Sequence, residues 1–198
     1  MHRFGHFGKR LCISLGLVAL TSLAQATPIG ATADAGVAFA AGTLSGGAIT
    51  FSNFGGVTLN ATRQTTTATW SIANISDARG TGTGWHLSLT LAQLAEYNTG
   101  TTSYVAGGKK LPTSSVTVFT APTVSLVDLS SSATNTITPV SAGTALDTGS
   151  PVKLLSAAIG GGMGTYSFGA MTVSLSDPAT TYARTYETDA TVTLEDAP

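Results

Sequence analysis

Asp77-Ala78-Arg79-Gly80-Thr81-Gly82-Thr83-Gly84-Trp85-His86-Leu87-Ser88-Leu89 is the stretch whose reading decides the fold. Its first half is spaced by Gly80, Gly82 and Gly84, residues that turn through positive φ at no steric cost. They predict a tight loop in which backbone approaches backbone. At Trp85 the pattern changes. Trp85, Leu87, Leu89 and Leu91 fall on one side, and His86, Ser88 and Thr90 on the other. That period of two belongs to a strand with one buried face.

The same period recurs outward from this stretch. Over residues 65–75, Ala68, Trp70 and Ile72 share a face and threonine fills the other. Threonine and tryptophan both suit strands. Residues 48–56 read as a short strand closed by Gly55-Gly56, and Leu44 is placed to seed another ahead of it. Residues 115–121, 123–129, 165–168 and 170–176 read as further strands, the last with Met171, Val173 and Leu175 on one side. Residues 152–158 fit a strand or a short helix equally well. Residues 182–194 read as one final strand, with Tyr182, Arg184, Tyr186, Val192 and Leu194 on one face. Helix formers cluster only over residues 91–97, where a packed turn or two is expected, since so short a helix does not stand alone. Residues 130–150 are dense in Ser, Thr, Gly and Pro and read mostly as a long surface loop. Short strands at regular spacing, separated by turn signals, predict an all-β sandwich of antiparallel strands with long Gly/Thr/Ser-rich loops and at most one short helix.

The N-terminus reads as a secretory signal peptide over residues 1–26: a basic start with Arg3, Lys9 and Arg10, an apolar run over 11–23, then Ala24-Gln25-Ala26. The run is shorter than the roughly 20 residues a membrane span needs. No membrane association is therefore expected after cleavage. Residues 27–47 read as a flexible leader and 48–198 as the folded domain. Cys12 lies within the signal, so the mature chain has no disulfide and no thiolate, which suits a bacterial envelope protein. Past residue 26 six basic residues face ten acidic ones, a formal charge of −4. No basic stripe exists, which argues against nucleic acid as a partner.

Catalysis finds little to work with. His86 is the only histidine after residue 26, and it lies on the face opposite Trp85 and Leu87, where a sheet-surface role is the reading. The acidic C-terminal region (Asp177, Glu187, Asp189, Glu195, Asp196) resembles a solvated face more than a glycosidase pair. No Asp-x-Asp-x-Asp-Gly loop points to calcium. The glycine loop lacks the Lys-Ser/Thr of a phosphate cradle and leads into a strand. No cofactor is expected. Asp77 and Arg79 either bind a polar group or hold the loop by hydrogen bonds; we favour the second. Trp70 and Trp85 are candidates for stacking on sugar rings, and for both the reading is core packing. If either is exposed, it is Trp85, which follows the loop.

Three pieces together resemble the WxL-domain family of bacterial surface proteins. Residues 75–87, Ile-Ser-Asp-Ala-Arg-Gly-Thr-Gly-Thr-Gly-Trp-His-Leu, are similar to its acidic-small-Arg-Gly-Thr-Gly stretch and first Trp-x-Leu. Gly162-Met163-Gly164-Thr165-Tyr166 resembles its glycine-Met-Gly-Thr-Tyr turn. Tyr182 to Tyr186, then Val192-Thr193-Leu194 and a final Pro198, resemble its closing Tyr-x-x-x-Tyr and second Trp-x-Leu, with Val192 standing where the family has tryptophan. The resemblance covers about residues 49–198. It implies a secreted, non-enzymatic protein of the cell wall or cell surface that binds peptidoglycan or another wall polymer non-covalently, with other surface proteins as further partners. The motif residues it singles out, as wall contacts or as core, are Asp77, Arg79, Gly80, Gly82, Gly84, Trp85, Leu87, Val192 and Leu194. Recognition is expected along strand edges and loops, through threonine and serine hydroxyls. The alternative is a structural subunit of an envelope layer or filament joined through strand edges. A secreted hydrolase is the weakest reading, for want of a nucleophile–histidine arrangement.

Overall fold

The computed structural model describes residues 37–196. Its strands in chain order are β1 (Leu44–Gly46), β2 (Ile49–Thr50), β3 (Gln64–Ile72), β4 (Ile75–Asp77), β5 (Trp85–Leu91), β6 (Ala95–Asn98), β7 (Ser103–Tyr104) and β8 (Val116–Thr120). They continue as β9 (Val124–Leu126), β10 (Ile137–Pro139), β11 (Val152–Ala157), β12 (Gly164–Phe168), β13 (Met171–Asp177), β14 (Tyr186–Glu187) and β15 (Ala190–Glu195). The signal peptide, residues 27–36 of the leader and residues 197–198 lie outside the described residues, while β1 falls within the stretch read as leader.

Two of the sheets are halves of one layer. Their orders, β1-β4-β12-β9 and β2-β3-β13-β8, match strand for strand. Each strand of one half runs into its counterpart in the other after a short break, such as Ala73-Asn74 between β3 and β4. The breaks are stitched across the layer, with Ala73 N donating to Ala48 O at 2.8 Å and Gly47 N to Asn74 O at 3.2 Å. The opposing layer is β10-β11-β5-β15, with β5 in its interior and β15 at its edge. All pairings are antiparallel. The expected all-β sandwich is therefore the observed fold.

β5 supplies both halves of the interior, because its inward row is long enough to cross the break. Trp85 and Leu87 pack with Ile72, Ile75, Leu155 and Tyr166. Leu89 and Leu91 pack with Trp70, Val116, Leu154, Met171 and Val173. Each such side chain, fully withdrawn from water, contributes about 1.5–3 kcal/mol. On β3 the threonines turn outward while Ala68, Trp70 and Ile72 are buried, as the alternation predicts. Trp70 donates its indole N–H to Ser52 O at 3.2 Å and takes the edge of Phe51 at 4.9 Å.

The structure corrects several local expectations. Residues 91–97 are not helical: Leu91 ends β5, Leu94 is buried, and Ala95–Asn98 is a strand. Its backbone finds partners the sequence could not show, Glu96 N donating to Lys109 O at 2.8 Å and Tyr97 N to Thr185 O at 2.9 Å. A short stretch of helix formers yields to such tertiary pairing. The one helical turn among the described residues is a 3-10 turn at Thr134–Thr136. Residues 130–150 are not only loop, since Ile137, Val140, Leu146 and Asp147 are buried there and β10 pairs with β11. The final strand is broken between Glu187 and Ala190, so that β14 joins the β6-β7 ribbon and β15 joins β5. Regular pairing in residues 48–56 stops at Thr50. Residues 152–157 are strand.

Candidate functional site: the motif scaffold and the groove beside it

Asp77 closes β4 and is buried. Its Oδ1 accepts from the Arg79 backbone N–H at 3.1 Å and from Nε at 2.9 Å, and its Oδ2 accepts from Nη2 at 2.9 Å. Nη2 also donates to Gly84 O at 2.8 Å. One guanidinium thus ties both ends of the glycine loop together. Arg79 bonded to it holds the Asp77 carboxyl below the usual carboxylate range, against the opposing pull of burial. The carboxylate in turn raises the guanidinium's own pKa.

The glycines do different things. Gly80 has φ 69° with open space where a side chain would stand. Gly82 O accepts from Gly160 N at 2.8 Å, joining the two glycine loops. Gly84 has φ 78°, and a Cβ there would lie 2.5 Å from Ala157 O. Only glycine lets the chain pass at that point. Trp85 follows, 0% exposed, with its indole N–H donating to Gly162 O at 2.9 Å. A Cβ on Gly162 would come within 2.7 Å of the same indole nitrogen. Tyr166 completes the turn, its hydroxyl donating among Met163 O at 2.9 Å and Ser132 O at 2.8 Å.

The third motif lies alongside. β15 pairs with β5 so that Leu194 stands opposite Leu87 and Val192 opposite Leu89. All three motif pieces, distant along the chain, meet around one strand. Trp85 and Leu87 are interior. Val192 and Leu194, on the edge strand, are half-buried. His86 faces outward and pairs with Glu195 at 3.2 Å, a contact that links β5 to β15.

Val192 and Leu194 are half-buried because the two layers do not close over them. Between β15 and the β1–β2 edge runs an open groove. One part, about 340 Å³, is lined by Gly46, Gly47, Ile49, Leu87, Val192 and Leu194. Leu194 leads into a second part, about 450 Å³, bordered by Leu44, Arg79, Glu195 and Asp196. Arg79 Nη1 faces this end, with Asp196 Oδ2 at 3.7 Å. Of the motif residues, the structure therefore puts Arg79, Leu87, Val192 and Leu194 at the groove, and Asp77, the glycines and Trp85 in the scaffold behind it. Leu44, Gly46, Gly47 and Ile49 were not anticipated at a site. Their only signal was apolar residues beside Gly-Gly, which is also what an ordinary edge strand shows.

Among the described residues no group of His, Cys, Asp and Glu is arranged to hold a metal ion, and no helix is long and apolar enough to cross a membrane. The arrangement is that of a β-sandwich surface domain with a groove along a strand edge. The family model described as WxL domain, surface cell wall-binding, matches residues 32–198, and the chain belongs to that family. It is accordingly a cell-surface protein that binds the cell wall. Comparison with curated proteins and with solved structures gave no match.

Proposed function

We propose that this chain is exported by a signal peptide over residues 1–26 and holds to peptidoglycan non-covalently, without catalysing a reaction on it. The observation that carries the reading is the family match across residues 32–198, joined to a groove that an extended polymer segment can enter from the side. His86, the histidine a nucleophile–histidine hydrolase would use, is engaged with Glu195 on the outer sheet face, away from the groove floor formed by Leu87. The test is sedimentation of the mature chain with purified insoluble wall. The expected result is depletion from the supernatant that salt only partly reverses, since one part of the groove is lined by Ile49, Leu87, Val192 and Leu194 while charges border the other. A chain that stays in the supernatant while an established wall binder sediments overturns the reading.

A second reading is favoured by one observation, the outer edge of β15, which among the described residues pairs on one side only. Such an edge is a template for another strand. On that reading other surface proteins, or further copies, join the envelope through β15. Concentration-dependent oligomers in light scattering would favour it, and a monomer at high concentration counts against it.

A further inference from the structure

We propose that the groove between β15 and the β1–β2 edge takes an extended, alanine-rich peptide ending in a carboxylate, the chemistry of the short stem peptides of the wall, and not the glycan strand. This rests on the wall-binding reading above and names the part of the polymer that is read.

Backbone supply is the first argument. Among the described residues β15 pairs only with β5, and β1 and β2 pair only with β4 and β3. In an antiparallel pair, alternate residues turn their N–H and C=O groups away from the partner. Both rims of the groove therefore present unmet donors and acceptors along a line. The amide N–H and C=O groups of an extended peptide laid along a rim satisfy them. A glycan has no such regular ladder to offer.

The second argument is shape. One wall is Gly46, Gly47, Ala48 and Ile49, small residues except for the last, and the floor is Leu87, Val192 and Leu194. Small apolar side chains fit against this open apolar stretch. Among the described residues no aromatic ring lines either part of the groove, so they offer a sugar ring no flat face to stack on.

The third argument is charge at one end. Arg79 is pre-positioned, with Nε and Nη2 fixed by Asp77 and Gly84. Among the described residues Nη1 has Asp196 Oδ2 at 3.7 Å, on a side chain that is 81% exposed. A ligand carboxylate displaces that loose contact and forms a charge-assisted bond to a guanidinium already held in place. Glu195 and Asp196 border the same end and attract an ammonium group. Opposite signs within one short end suit the diamino acid of a stem peptide, which carries both.

The experiment compares intact wall with wall treated by an amidase that cuts between glycan and peptide, using the mature chain. Binding is expected to fall at least about tenfold on the stripped glycan, and free stem tetrapeptide is expected to release the chain from intact wall. Ala48→Arg is the variant of choice, because Ala48 is exposed and serves the fold only through its carbonyl, which accepts from Ala73 N. It is expected to keep the melting temperature and weaken binding by about tenfold through bulk and charge in the slot. Equal binding to stripped glycan, or no release by the peptide, overturns this inference while leaving wall binding intact. No binding to intact wall overturns both. The competition arm uses the unaltered chain, so it decides even if Ala48→Arg folds poorly.

Discussion

Trp85→Ala is expected to destabilise the protein by about 3–5 kcal/mol, enough to leave much of it unfolded at physiological temperature. The indole has no exposed surface and touches both layers. Removing it opens a cavity at the one point where all three motifs converge. It also strips Gly162 O of its donor. Trp85→Phe keeps most of the volume and loses the hydrogen bond, so its expected cost is smaller, about 1–3 kcal/mol. Urea unfolding followed by circular dichroism measures both. Equal stability of Trp85→Ala and the unaltered chain would mean that the indole is not packed as described.

Arg79→Met is expected to cost about 3 kcal/mol near neutral pH, because it leaves the Asp77 carboxylate buried without its counter-ion. The loop loses its tie to Gly84 O at the same stroke. Changing both residues, as Asp77→Asn with Arg79→Met, is expected to cost less than Arg79→Met alone, since the uncompensated charge is gone. The pH dependence follows from the direction of the shift. Asp77 has a lowered pKa in the folded chain, so the unfolded state takes up its proton first as pH falls. The stability it contributes is fully present above the unfolded value of roughly 3.9 and is lost as pH drops through the folded one. In Arg79→Met the side-chain bonds and the charge are gone, and burial, which raises the Asp77 pKa, outweighs the one lowering contact that stays, the backbone N–H of residue 79. The acid limb of a stability-against-pH curve is then expected to reverse its slope contribution from this residue.

Much of this scaffold was legible from residues alone. The alternation after Trp85 is strict, and the core uses the inward row as read, because a strand between two layers leaves no other use for four large apolar residues. The favoured role of Asp77 and Arg79 also follows from sequence, since a carboxylate two residues from an arginine beside glycines is a loop clamp by its geometry. What sequence did not show depends on partners far along the chain. Residues 95–98 became a strand because residues 104–110 and 185–186 offered backbone to them. Val140 and Leu146 looked isolated in a Ser/Thr-rich stretch, yet Val140 N donates to Leu154 O at 2.8 Å and Leu146 N to Val116 O at 2.9 Å. The groove was hidden for the same reason. Its rims belong to strands from opposite ends of the chain, and no local pattern distinguishes an edge strand that borders an opening from one that does not.

The claim on which the rest depends is that the tryptophan of the first motif is interior packing and the wall is met elsewhere. Iodide quenching of tryptophan fluorescence, with and without bound wall, tests it most directly. Both Trp70 and Trp85 are buried, so the account predicts a blue-shifted emission that iodide barely quenches and that wall binding leaves unchanged. Emission that iodide quenches freely in the free chain, and that wall binding then protects, would contradict it.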